Sequence, residues 1–157
     1  MTYASYPYGA VPFGGLFTGQ QALTIEERIE SALFTYAAVI TTEAAPPKVW
    51  PNSTYIPTDL YLRIEQLPNR NERLYMKGTN PHLRQGILQI TVVSPLNVGP
   101  SPATRVAGQV AENFPTDLAL YSYGVKVTIQ EAPSVGQAFP NDATWVVPIS
   151  VRYECFQ

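Results

Sequence analysis

Ile87-Leu-Gln-Ile-Thr-Val-Val93, then Ser94-Pro95, the turn Leu96-Asn-Val-Gly-Pro100 and Ser101-Pro102, is the stretch on which the fold turns. Its first seven residues are few and dense in β-branched side chains, so they read as a central strand. Pro95 ends it, because proline has no N–H to continue a ladder. Gly99 is free to take positive φ in the turn. Ser101 can accept a bond from an orphan helix amide and Pro102 suits the first helical position, so a helix begins there. Ala103, Val106, Ala107, Val110, Ala111 and Phe114 share one helical face, and Pro115 closes the segment. The product is a strand–turn–helix unit with one buried side.

A glycine-bearing loop entering a helix can also hold a phosphate on its free N–H groups. This one has a single glycine, prolines that remove donors, and no Gly-Lys-Ser/Thr. No acid follows at the spacing that a ribose hydroxyl wants. An ordinary strand–helix connection is the better reading. A small-ligand domain built on the 97–101 turn is kept as the rival from a different class.

On the N-terminal side, Thr24-Ile-Glu-Glu27 has the form of a capping box. Ile25, Ile29, Leu33, Tyr36, Ala37 and Ile40 recur at helical spacing, which predicts a helix over 24–41. Glu26 and Glu27 sit in its first turn, where the helix dipole favours acids, and need no catalytic explanation. From Glu43 to Pro57 the chain is extended and rich in proline, with Trp50, Tyr55 and Ile56 expected to pin it to the core. Leu60, Leu62 and Ile64 alternate with Tyr61, Arg63 and Glu65, which predicts a half-buried strand. Pro68 to Pro81 is polar and turn-rich, with a short strand expected at Leu74-Tyr75-Met76. Arg63, Arg70, Arg73, Lys77 and Arg84 place half of the ten Lys and Arg in this neighbourhood. It is the one local charge excess of the chain.

On the C-terminal side, 116–123 reads as a linker and Val125, Val127 and Ile129 as one face of a strand. A loop over 132–142 precedes a long last strand, Trp145 to Tyr153, in which Pro148 marks an edge or a bulge. The order predicts an α+β fold: a mainly antiparallel β-sheet with two helices packed on one face. Residues 24–157 form one domain, preceded by an arm over 1–23. That arm has no helical or strand period, yet carries Tyr3, Tyr6, Tyr8, Phe13 and Phe17. Free tails are usually poor in aromatics, so an arm lying on a surface is expected, docked on a neighbouring subunit or, as the alternative, packed on its own domain.

With 157 residues, 45% of them hydrophobic, the chain can bury a core unaided by metal or disulfide. Charged residues are only 14%, net charge is −2, and 15 prolines and 10 tyrosines fill the deficit. Such a surface suits protein contact and does not point to nucleic-acid binding. One cysteine, Cys155, and one histidine, His82, are too few for a Cys/His zinc site. Nothing couples the two as nucleophile and base, so Cys155 reads as a passive strand residue. No catalytic residue, cofactor or metal ligand is expected. No stretch approaches the ~20 apolar residues of a membrane span, and synthesis in a reducing cytoplasm is expected.

Val49-Trp-Pro-Asn52, Tyr55-Ile-Pro57, Tyr61-Leu-Arg63 and Arg84-Gln-Gly-Ile-Leu-Gln-Ile90 form a spaced pattern. Together with the Gly99 turn, the helix ending Phe114-Pro115 and the strand from Trp145 to Tyr153, it resembles the tail terminator proteins of long-tailed bacteriophages over residues 24–153. The resemblance implies a small α+β structural protein, not an enzyme. It implies a six-membered ring of copies on the head-proximal end of the tail tube, assembled in the host cytoplasm and kept in the virion. Its partners would be the tail tube protein and a head completion or neck protein. Double-stranded DNA would pass through the lumen without sequence-specific binding. Another neck or tail-tube component would share the same composition and size. The expected contact residues are the five arm aromatics with Arg70, Arg73 and Lys77.

Overall fold

A computed structural model describes residues 23–157. The chain runs α1 (Ile25–Val39), β1 (Lys48–Val49), β2 (Tyr61–Pro68), β3 (Leu83–Pro95), α2 (Ser101–Glu112), β4 (Ala119–Ser122), β5 (Val125–Ile129), β6 (Ser134–Val135), β7 (Phe139–Asn141) and β8 (Thr144–Phe156). It is an α+β fold around one mostly antiparallel sheet of eight strands. Of the arm expected over 1–23, all but the last residue lies outside the described residues.

β3 and β8 form the sheet's axis, paired antiparallel from Leu83↔Phe156 to Pro95↔Thr144. β2 lies on the free side of β3, and β1 extends it in parallel at the edge. The far side of β8 is shared by β7, β6 and β5 in turn, and β4 closes that end as a hairpin with β5. The hairpin's two-residue loop puts Tyr123 at φ 47° and Gly124 at φ 83°, the doubly positive geometry whose twist matches the strands it joins.

Alternation decides which face is covered. The rungs Leu62↔Val92↔Val147 and Ile64↔Ile90↔Ile149 align across β2, β3 and β8, all at 1% exposure or less. A one-residue slip would send every one of them to the other face. Ile29, Ala32, Leu33 and Ala37 of α1 and Ala103, Val106, Ala107 and Val110 of α2 close over these rungs, with Phe114 just beyond. Burying each of the larger aliphatics stabilises the fold by roughly 1.5–3 kcal/mol. Phe114 also stands edge-on to Tyr36, ring centres 5.2 Å apart.

The two helices are held to each other at their ends. Tyr36 Oη donates to the Asn113 carbonyl, and Asn113 Nδ2 donates to the carbonyls of Thr41 (2.9 Å) and Gln109 (2.8 Å). Lys48 Nζ reaches the Ala38 (2.7 Å) and Ile40 (3.2 Å) carbonyls, a cation at a helix end whose last turn has no basic residue. Desolvation in that position lowers the Lys48 pKa.

Gly86 is fixed by close approach. A Cβ there would lie 2.5 Å from Tyr153 Oη and 2.7 Å from the Leu67 carbonyl. Tyr153, its cross-strand partner, lays its ring over the bare backbone, and its hydroxyl accepts from Gln66 Nε2 at 2.8 Å.

Several expectations are corrected. α1 is capped as the Thr24–Glu27 box predicts, but Ser101 does not cap α2: Pro100 holds that position in αR geometry, with no side-chain bond. The short strand expected at Leu74-Tyr75-Met76 is absent; only a Glu72↔Leu83 bridge forms there. The 116–123 linker contains β4, and the 132–142 loop contains β6 and β7. Pro148 sits in a strand paired on both sides. The Gly136 amide donates to the Pro148 carbonyl, so the proline nitrogen faces the break between β6 and β7, where no N–H is needed. Tyr55 and Ile56 are exposed and anchor nothing, while Trp50 is half-buried and stacks at 5.5 Å on Phe34.

Candidate functional site

The expected basic cluster divides in two. Arg63 lies 3.9 Å from Glu65, and Arg84 Nη1 makes a 2.9 Å ion pair with Glu26. Arg84 is thereby tied to α1, while Arg63 lies along β2 beside Glu65. Arg70, Arg73 and Lys77 lie on the β2–β3 connection, where residues 69–79 are exposed throughout. The loop's base is pinned by reciprocal 2.8 Å backbone bonds between Glu72 and Leu83, and by Asn69 N–H to the Gln85 carbonyl at 2.9 Å.

Arg73 is a structural part of this loop. Its Nε donates to the Tyr75 carbonyl at 2.8 Å and its Nη2 to the Met76 carbonyl, which closes the tip. Arg70 and Lys77 form no ion pair among the described residues. The tip itself is apolar: Leu74 and Tyr75 are exposed, and Met76 is 94% exposed. Large apolar side chains held outward on a hydrogen-bonded loop are the mark of a contact surface.

Beside the loop's base, a cleft of about 560 Å³ lies between α1 and the outer edge of β2. Ile29, Phe34, Pro51 and Tyr153 supply its apolar lining and Glu26, Glu27 and Glu30 its carboxylates, while Glu65 and Leu67 border it from β2 but share the other sheet face with their partners Gln89 and Ile87. Glu27 is held below the usual carboxylate value by the Thr24 backbone and side-chain hydrogen bonds. Sequence reasoning missed this cleft, because it assembles α1 with a strand some 35 residues away. The available signal was Glu26 and Glu30 at i, i+4, two like charges on one outer helical face.

The other candidates are plain. Cys155 is buried opposite Arg84 on the covered face, and desolvation pushes its thiol above the ordinary value. His82 extends the β3–β8 ladder through backbone bonds with Gln157. Among the described residues no group of His, Cys, Asp and Glu has a metal-holding arrangement. The 97–101 turn is exposed along its length, so it offers no enclosed ligand seat. The sheet face away from the helices carries Arg63, Gln89, Ser150 and Arg152 between apolar Val93 and Val146. Tyr3, Tyr6, Tyr8, Phe13 and Phe17 lie outside the described residues.

Comparison with known proteins gives a family and a fold. A family model described as phage tail terminator protein matches residues 28–153. No curated protein matches. One solved structure, of a protein carrying no functional description, is 29% identical with a TM-score of 0.62, covering 83% of this chain and 92% of its own. Another, from the virion of a native gene transfer agent particle, has a TM-score of 0.61 and covers 87% of this chain and 100% of its own. At 10% identity the second likeness shows shared fold alone.

Proposed function

Because the chain belongs to the phage tail terminator family, and is therefore a structural protein of a phage-type tail, we propose that copies of it close into a ring on the head-proximal end of the tail tube. A six-membered ring is the form the resemblance implies. The ring ends tube polymerisation and presents its other face to a head completion or neck protein, and double-stranded DNA passes through its lumen without base-specific contacts. No enzymatic step is part of this role.

The family match over residues 28–153 carries the reading. The surface supports it in kind: a net charge of −2 leaves little repulsion between copies, and an apolar loop tip and a cleft stand ready on one domain. Electron micrographs of cognate tail tubes grown with and without the purified chain test it. Shorter tubes bearing extra density at one end are expected. Tubes that grow on unchanged, with no cap at either end, would sink the reading. Protein spread along the whole tube would make it a tube component instead.

A further inference from the structure

We propose that the 69–81 loop of one copy seats in the α1–β2 cleft of the next copy. This deepens the ring reading and rests on it.

The two surfaces are complementary in charge and in polarity. The loop carries Arg70, Arg73 and Lys77 against a single acid, Glu72. The cleft carries Glu26, Glu27 and Glu30 of α1 against one lining cation, Arg84, which is already bound to Glu26 at 2.9 Å. Behind the loop's charges stand Leu74, Tyr75 and Met76, turned out to water by the Arg73 bonds to the tip carbonyls. Behind the cleft's rim stand Ile29 and Phe34.

Size and reach also agree. The cleft's 560 Å³ falls within the range of about 300–1,000 Å³ that accepts a drug-sized body, comparable to two or three large side chains. Beyond the Glu72–Leu83 bridge the ten loop residues can reach at most roughly 16 Å at about 3.3 Å per residue, a length that can cross a subunit boundary. Its base residues Asn69 and Asn71 lie on the rim of their own cleft. The contact joins two different surfaces, so it is heterologous. Such contacts propagate head to tail and close into rings. Apolar burial of the tip would hold the copies together, while the charges set register and association rate.

Two charge-reversed chains test this. In the first, Arg70→Glu and Lys77→Glu reverse the loop, with Arg73 spared because it holds the tip. In the second, Glu26→Lys and Glu30→Lys reverse the cleft, with Glu27 spared for the helix cap. Melting curves check that each folds. Light scattering at low and high salt measures assembly, with tail tubes present as template, and micrographs of the same samples score capping.

Each reversed chain alone should assemble at least tenfold more weakly than wild type at low salt. An equal mixture of the two should recover assembly, since every loop then meets a cleft of opposite charge. A third chain, Met76→Glu, alters an exposed side chain outside the core and should also assemble more weakly. If all three match wild type at low salt, the loop–cleft contact is overturned, while capping by wild type leaves the terminator reading standing. If loss of residues 2–20 alone abolishes assembly under those conditions, the cleft belongs to the arm. A wild-type chain that never caps a tube overturns the reading beneath the inference.

Discussion

The β3–β8 pair and the 69–81 loop that precedes it are near neighbours in sequence and obey opposite rules. In the pair, each rung on the covered face is specified twice, by register with its partner and by burial beneath a helix. In the loop, the backbone is specified by Arg73 and the Glu72–Leu83 bonds, but nothing among the described residues covers Leu74, Tyr75 or Met76. The difference separates what the chain needs to fold from what it offers to others. Substitutions in the pair and under its helices should cost stability; substitutions in the loop should cost assembly.

The largest expected effect lies under the helices. Phe114→Ala removes a fully buried ring that packs on Tyr36, and should lower stability by about 3–5 kcal/mol in denaturant titration. A loss below 1 kcal/mol would show that the site collapses around the cavity and is less strictly specified than the rungs suggest. Gly86→Ala comes next. Its Cβ would meet Tyr153 and the Leu67 backbone, so about 1–3 kcal/mol of overpacking is expected. Gly86→Ala with Tyr153→Phe isolates one obstacle: recovery assigns the clash to the hydroxyl, and no recovery assigns it to the Leu67 carbonyl or to the Tyr153 ring carbon that remains, 2.8 Å away.

Trp50→Ala sharpens the comparison from the boundary. Fully buried, it would belong with Phe114; half-buried on Phe34, it should cost nearer 1.5–3 kcal/mol. Thr24→Ala opens the capping box and should cost about 1 kcal/mol. The box also gives α1 an acid dependence. Glu27 has its pKa lowered in the fold by Thr24, so its contribution is present above the ordinary value of 4.5 and is lost as pH falls through the lowered one. The melting-temperature gap between wild type and Glu27→Gln should therefore shrink in acid and stay level above pH 5. A gap that widened in acid would contradict the assignment.

The sheet's axis, both helices and the Thr24 cap were legible because each shows itself within a short window, as alternation, a 3.6-residue period or a capping pair. The short strands were not. β6 and β7 are two and three residues long and exposed, so they exist because β8 runs past them with an open edge, a fact of the tertiary fold. Pro148 misled for the same reason: its nitrogen is harmless only because the break between two such strands lies opposite. Gly86 gave no local sign that Tyr153 would cover it. Among candidate site residues, composition located the basic stretch but counted Arg63, Arg73 and Arg84 together with Arg70 and Lys77, whereas geometry sets those three beside neighbours within their own chain. The cleft had no sequence of its own to read, being the gap between two segments.

The smallest expected effect on the fold belongs to the arm. Among the described residues the core cluster and the groups packed on it begin at Ile25, and α1 is started by a box formed within Thr24–Glu27. Deleting residues 2–20 should therefore leave the melting temperature within about a degree of wild type, the size of change expected when no buried group is lost. Assembly is a separate matter. Tyr3, Tyr6, Tyr8, Phe13 and Phe17 can each contribute roughly 1.5–3 kcal/mol when buried against a neighbour. Ordering the backbone opposes this by about 1–2 kcal/mol per residue fixed, so a few anchored rings leave only a modest net gain. The truncated chain should still cap tubes, more slowly or at higher concentration, in the same micrographs that score the full chain. A truncated chain that cannot fold would place the arm in its own domain's core, and the division between a folding region and an assembling one would then have to be redrawn at the N-terminus.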